Sequence, residues 1–191
     1  MAIEKLDLGR NGTKSINKRI LQTGTPTDLV VAQGTLTVDA QVTADDTMTV
    51  DTTDYTFVAA GTADAAGEIN LGADLAGTQE NIVKALKGTD GYNVLHPTVT
   101  CAAAFGGADD LEIEARVGGT AGNAIATTET FTAVTNVFDA ATLGTTQAGA
   151  GTYTPDVEPG SMRIDATNIY ICTGTNGMLA QTWRKIAHSA L

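Results

Sequence analysis

The sequence predicts a mostly β protein: a β-sandwich or barrel-like domain with one helix, an extended N-terminal arm ahead of it and a small C-terminal β-unit behind it. Three observations carry that expectation. Apolar residues recur at every second position in several short runs, the mark of strands with one buried face. Around residues 78–87 apolar residues fall instead at helical spacing. Clusters of Gly, Asp, Asn and Thr separate these runs, as turns between short strands require.

Residues 1–30 are expected to form the arm. Gly9 to Ser15 is rich in turn residues, and Gln22 to Asp28 is a second breaker cluster. Between them Ile16, Ile20 and Leu21 fit either one helical turn or an extended strip of apolar anchors. The segment is too short for a core of its own. It is therefore a loose terminus or an arm that lies on a neighbour.

Residues 31–150 read as the β-rich domain. Leu36, Val38, Ala40 and Val42 alternate with polar residues, as do Leu111, Ile113, Ala115 and Val117. Val99, Cys101, Ala103 and Phe105 repeat the pattern, and Met48 to Ala59 supplies a strand or a hairpin around Thr52-Thr53-Asp54. The helix has Thr78 as its expected N-cap and Glu80 in its first turn. Ile82, Val83 and Leu86 form its stripe, which Leu75 can extend; Lys84 and Lys87 lie near its end, and Gly88 closes it. One amphipathic helix suits the cover of one open face or edge of a sheet. Residues 151–191 form the third unit. Arg163 to Asp165 and Ile169 to Thr173 are expected to pair around Ala166-Thr167-Asn168. A turn follows at Gly174 to Gly177, and Trp183 to Ala187 is a third strand.

Charge divides along the chain. The net charge is −11 over 191 residues, yet residues 1–20 hold five basic side chains against two acidic ones. Residues 21–151 hold 3 basic against 17 acidic. So acidic a body argues against a nucleic-acid partner, because phosphate contacts need Lys and Arg. No run of 18 apolar residues is present, and the first residues carry no apolar stretch of the signal-peptide kind, so neither a membrane span nor export is expected. Cys101 and Cys172 lack CxxC spacing, which argues against zinc ligands; two reduced core thiols are expected, with a disulfide as the alternative.

Motifs that carry chemistry are thin. Gly118 to Gly122 has the glycines of a phosphate loop but no Lys-Ser or Lys-Thr after them, and a hairpin turn is expected there. Asp45-Asp46 and Asp109-Asp110 lack EF-hand spacing and suit surface turns better than calcium. His96 and His188 have no Ser or Cys nucleophile motif beside them. Tyr170 and Trp183 suit the core of a small β-unit better than a sugar platform, and Cys172 packs as a small hydrophobe. No catalytic residue, cofactor or metal is expected.

Two segments resemble known families. Gly34–Val38, Tyr55–Phe57, Ile69–Asp74 and Gly119–Asn123 follow in the order of a recurring β-domain of tailed-bacteriophage virion proteins. Pro159 to Ala187, with its Pro-Gly, Tyr-Ile-Cys-Thr and final Trp-Arg-Lys, is similar to the terminal module of phage head-fibre and tail-fibre proteins. The resemblance implies a non-enzymatic structural protein of the virion, made in the bacterial cytoplasm. Of such roles a capsid decoration (cement) protein on the capsid exterior fits best. Its expected partners are the major capsid protein and, by analogy with known decoration proteins, two further copies of itself in a homotrimer. The arm would supply the contact through Ile3, Lys5, Leu6, Leu8, Arg10, Lys14, Ile16, Lys18, Arg19, Ile20 and Leu21. The alternatives are a tail-tube or fibre component and a host-surface binding module.

Overall fold

The computed structural model describes residues 21–23, 29–151, 161–164, 168–175 and 181–187. In chain order the elements are β1 (Leu21–Thr23), β2 (Gln33–Thr37), β3 (Thr47–Val50), β4 (Thr53–Val58), β5 (Glu68–Asn70), α1 (Leu75–Lys87), β6 (Val99–Cys101), β7 (Asp110–Ala115), β8 (Thr127–Glu129), β9 (Val137–Phe138), β10 (Met162–Ile164), β11 (Asn168–Thr175) and β12 (Gln181–Ala187), with a 3-10 turn at Thr120–Ala124. The expected fold class holds: mostly β, with one α-helix among the described residues.

Alternation produces the body. Along β7, Leu111, Ile113 and Ala115 are buried while Glu112 faces water. Met48 and Val50 on β3, and Tyr55 and Phe57 on β4, point the same way into the interior. The strands form two four-stranded sheets, β6-β7-β2-β9 and β5-β4-β3-β8. Their inner faces share one core, in which Leu36, Val99, Leu111 and Ile113 of the first sheet belong with Met48, Val50, Tyr55, Phe57 and Ile69 of the second. This is the sandwich solution for two half-apolar sheets. The helix seals one edge by touching both β5 and β6, and β8 touches β9 at the other. Each sheet edge therefore has a cover.

Several boundaries differ from the sequence expectation. The helix begins at Leu75, and its cap is Asp74, whose carboxylate accepts from Gly77 N at 2.8 Å. Thr78 lies inside the helix and is fully buried; its hydroxyl accepts from Gly72 N and from Gln41 Nε2. A polar residue ahead of an apolar stripe resembles a cap, but the helix starts a turn earlier and the Thr78 hydroxyl is taken up by Gly72 and Gln41, so Asp74 is the cap. Gly88 ends the helix as expected, in the left-handed conformation at φ +62°. Strand β2 pairs over Gln33–Thr37, earlier than the alternation from Leu36 to Val42 suggests, because the chain leaves the sheet where Ala40 exchanges hydrogen bonds with Asn136. β6 stops at Cys101, and Ala103 is exposed. The β3–β4 hairpin turns at Asp51-Thr52, so Thr53 and Asp54 are already strand.

The glycines after β7 do not close a hairpin. They lead through the 3-10 turn into β8, which pairs with β3 in the opposite sheet, so Gly118 to Asn123 is a crossover between the layers. Glycine is needed there for space. A Cβ on Gly122 would press on Ala115 and Ala32, and Gly119 adopts φ +111°.

The chain enters and leaves the body side by side, since Val30 and Ala150 form an antiparallel bridge. The flanking segments share a third sheet of order β1-β10-β11-β12. β1 runs parallel to β10, with Leu21 opposite Met162 and Thr23 opposite Ile164. The C-terminal unit thus takes a strand from the segment assigned to the arm. β11 reaches Thr175 through an irregularity between Cys172 and Gly174, so Gly174 and Thr175 pair with Thr182 and Gln181 rather than turning. Asn168 likewise belongs to β11. Tyr170 and Cys172 are buried within this sheet.

Candidate functional site

The residues expected to bind a partner from the arm divide in two. Ile3, Lys5, Leu6, Leu8, Arg10, Lys14, Ile16, Lys18, Arg19 and Ile20 lie outside the described residues. Leu21 is the first residue of β1. Its backbone is engaged with Met162, so it belongs to the terminal sheet and not to a free arm.

The groups in the body that could do chemistry are taken up by the fold. His96 is buried; its Nε2 is 3.1 Å from the carbonyl of Val50, and its Nδ1 accepts from Val99 N at 3.2 Å and Thr98 N at 3.3 Å. Those partners fix a neutral imidazole that donates from Nε2 and ties the end of β3 to the start of β6. Burial holds its pKa below the ordinary value; the Val50 carbonyl and Asp51 act against that, and Arg116 adds to it. Of the acidic pairs, Asp46 is buried and accepts from Thr43 N, Thr132 N and the Thr132 hydroxyl. Asp109 accepts from Gln79 Nε2, and Asp110 from the Thr37 hydroxyl. Their left-handed neighbours fit the turn role: Asp45 at φ +73° and Asp109 at φ +57° are conformations that Asp tolerates.

Buried amides act as staples in the same way. Asn93 accepts from Gly67 N and donates to the carbonyl of Glu68, pinning the loop after α1 against the start of β5. Asn136 pins the loop before β9 to Ala40, and Gln79 donates to the carbonyl of Val38. Composition alone does not find these residues, because an Asn at a turn reads the same whether its side chain faces water or the interior. Cys101 and Cys172 are buried and not joined in a disulfide, and burial pushes the Cys101 thiol up. Among the described residues, no three His, Cys, Asp or Glu side chains gather as metal ligands do, and no helix is long and apolar enough to cross a membrane.

What the body offers outward is surface. Its described acidic side chains far outnumber Lys84, Lys87 and Arg116, and the one ion pair among the described residues, Lys84 with Glu80 at 2.8 Å, is solvent-exposed. Large apolar side chains reach solvent in two places: Tyr92, Val94 and Leu95 after α1, and Val134 and Val137 around the start of β9. Comparison with protein-family models, with curated proteins and with solved structures finds no match.

Proposed function

We propose that this chain is a structural protein of a tailed-bacteriophage particle that decorates and cements the capsid, tying neighbouring major capsid subunits together. The observation that carries the reading is the division of charge: five cations within the first 20 residues, ahead of a body with 3 basic and 17 acidic side chains over residues 21–151. A basic segment with apolar anchors suits attachment to an acidic neighbour. An acidic sandwich suits a role on an outer surface, where like charge keeps crowded copies apart. The resemblance of Gly34–Asn123 and of Pro159–Ala187 to phage virion modules supports the same reading. It also fits the catalytically inward-turned side chains described above, which serve a rigid body. The β3–β4 hairpin turns over two residues, which favours the head over a tail tube, whose subunits close rings with long hairpins.

The test is truncation after Ile20, which leaves β1 whole. The shortened chain should melt like the full one and lose most attachment to purified particles. Neutralising Lys5, Arg10, Lys14, Lys18 and Arg19 should weaken attachment less, and chiefly at low salt. Equal decoration by the truncated chain would refute the arm as the attachment. A count of only a few copies per purified particle would move the protein from head to fibre.

A further inference from the structure

We propose that His96 is the pin of an acid-released clasp: a proton on its Nδ1 frees β6 from the edge of the sandwich while the rest of the body stays folded. The inference rests on the described body alone and not on the capsid reading.

The ring joins two elements through unlike bonds. Nε2–H donates to the carbonyl of Val50 at the end of β3, while Nδ1 accepts from Thr98 N and Val99 N, where β6 begins. A second proton changes one side only. Nε2 stays a donor and keeps Val50. Nδ1 turns from acceptor to donor, so two backbone N–H groups lose their acceptor and face a third donor in a buried place. The Thr98 hydroxyl, 3.5 Å from Nδ1, stands at the outer limit of a hydrogen bond and belongs to the same segment. The damage therefore falls on Thr98 and Val99 rather than on β3. The first half of the loop is held separately. Asp90 accepts from Tyr92 N and Asn93 N, and Asn93 is tied to Gly67 and Glu68, with no bond to the imidazole. His96 N donates to the carbonyl of Leu86, so His96 stays tethered through its backbone and Nε2 while the chain beyond Pro97 lifts.

β6 is suited to lift. It is three residues long and stands at the end of its sheet, with β7 as its one strand neighbour among the described residues. Short edge elements with few bonds open ahead of the whole body. What lies beneath also favours opening here. Tyr55 is 1% exposed, its ring lies 6.3 Å from the imidazole, and its hydroxyl has no hydrogen-bond partner among the described residues. Burial, then Asp90 and Cys101 of β6, push its pKa up to about 12. Water admitted by a lifted β6 satisfies this orphan hydroxyl and the imidazolium together. Of the titratable groups on the elements around the ring, Asp51 in the β3–β4 turn favours the charged form; burial, the larger influence, and Arg116 after β7 oppose it. Lys87 on the last turn of α1 is a cation, Tyr55 and Cys101 are neutral, and the Asp90 carboxylate is turned to its own loop. The folded-state pKa thus lies below 6.5, so the clasp is whole above that pH and weakens as pH falls through it.

Native-state hydrogen–deuterium exchange on the full chain between pH 7.5 and pH 5.0, corrected for the intrinsic pH dependence of exchange, tests this. The amides of Thr98 and Val99, with Ala102 N and Arg116 N that bond to Glu112 and Thr98 across the β6–β7 pair, should lose protection as pH drops. Uptake of one proton below 6.5 gives about tenfold per pH unit, so the loss should reach up to about 30-fold at pH 5.0. The amides of Tyr92 and Asn93 in the loop, and of Phe57 and Ala115 bonded to Asp46 and Ala32, should keep theirs. His96→Gln should abolish the pH dependence at Thr98 and Val99. His188→Gln, which removes the other histidine of the chain, should leave it in place. Should His96→Gln fail to fold, the contrast between the two sets of amides in the parent chain and in His188→Gln decides alone. Protection that falls equally across the body, that stays level at Thr98 and Val99, or that still falls in His96→Gln overturns the proposal.

Discussion

Acidification should loosen this sandwich through His96. The imidazole is fully enclosed; Nε2–H donates to Val50, and Nδ1 accepts from two backbone N–H groups, so a proton on Nδ1 would face two donors, with only the Thr98 hydroxyl, 3.5 Å away, able to accept from it. Burial lowers the folded-state pKa below 6.5, the value of the free side chain. A depressed histidine means that the unfolded chain binds the proton first. Stability is therefore complete above the unfolded pKa and falls as pH drops through it toward the lower folded pKa. The slope is at most about 1.4 kcal/mol per pH unit for one proton. Between pH 7.5 and pH 5.0 the loss from His96 is bounded at about 2 kcal/mol, since only the part below 6.5 counts. His96→Gln removes the titration and, by breaking the staple, costs about 1–3 kcal/mol at pH 7.5. Urea unfolding followed by circular dichroism at both pH values, on parent and variant, isolates the effect because carboxylate and His188 contributions cancel in the comparison. The gap between parent and variant should narrow at pH 5.0 by up to about 2 kcal/mol. An unchanged gap would show that the buried imidazole titrates as it does in the unfolded chain, and the reasoning from its hydrogen bonds would be wrong.

Other outcomes follow from single contacts. Gly88→Ala should destabilise by more than the roughly 1–2 kcal/mol of a left-handed non-glycine residue, because its Cβ would also run into the backbone of Val94 and Leu95; a neutral result in thermal melting would contradict the cap geometry. Asp74→Ala should cost about 1 kcal/mol by loss of the bond to Gly77 N, and Asp74→Ser should restore most of it. Cys101 should react with a thiol reagent only as fast as the body opens, since it is buried and its thiol is pushed up; rapid labelling of the native protein at this residue would contradict its burial.

Elements that depend on local pattern were legible before the structure. Alternation from Asp110 to Ala115 and from Met48 to Phe57 reports strands because burial on one face acts on every second residue. The stripe of Ile82, Val83 and Leu86 reports α1, and Gly88 its end, because a left-handed residue there favours glycine. The candidate arm was legible only as composition, in the cations and apolar residues ahead of Leu21. Tertiary structure decided which strands meet. β7 pairs with β2 and β6 rather than with β8, and β1 finds β10 across the whole body. Nothing near Leu21 or Gly119 encodes those partners, because a strand's hydrogen-bonding groups are the same for every neighbour. The choice falls to the packing of two sheets over one core. The roles of Asp74, Thr78, Asn93 and His96 were settled at the same level: a polar side chain becomes a cap or a staple only when folding brings an unpaired backbone group within its reach.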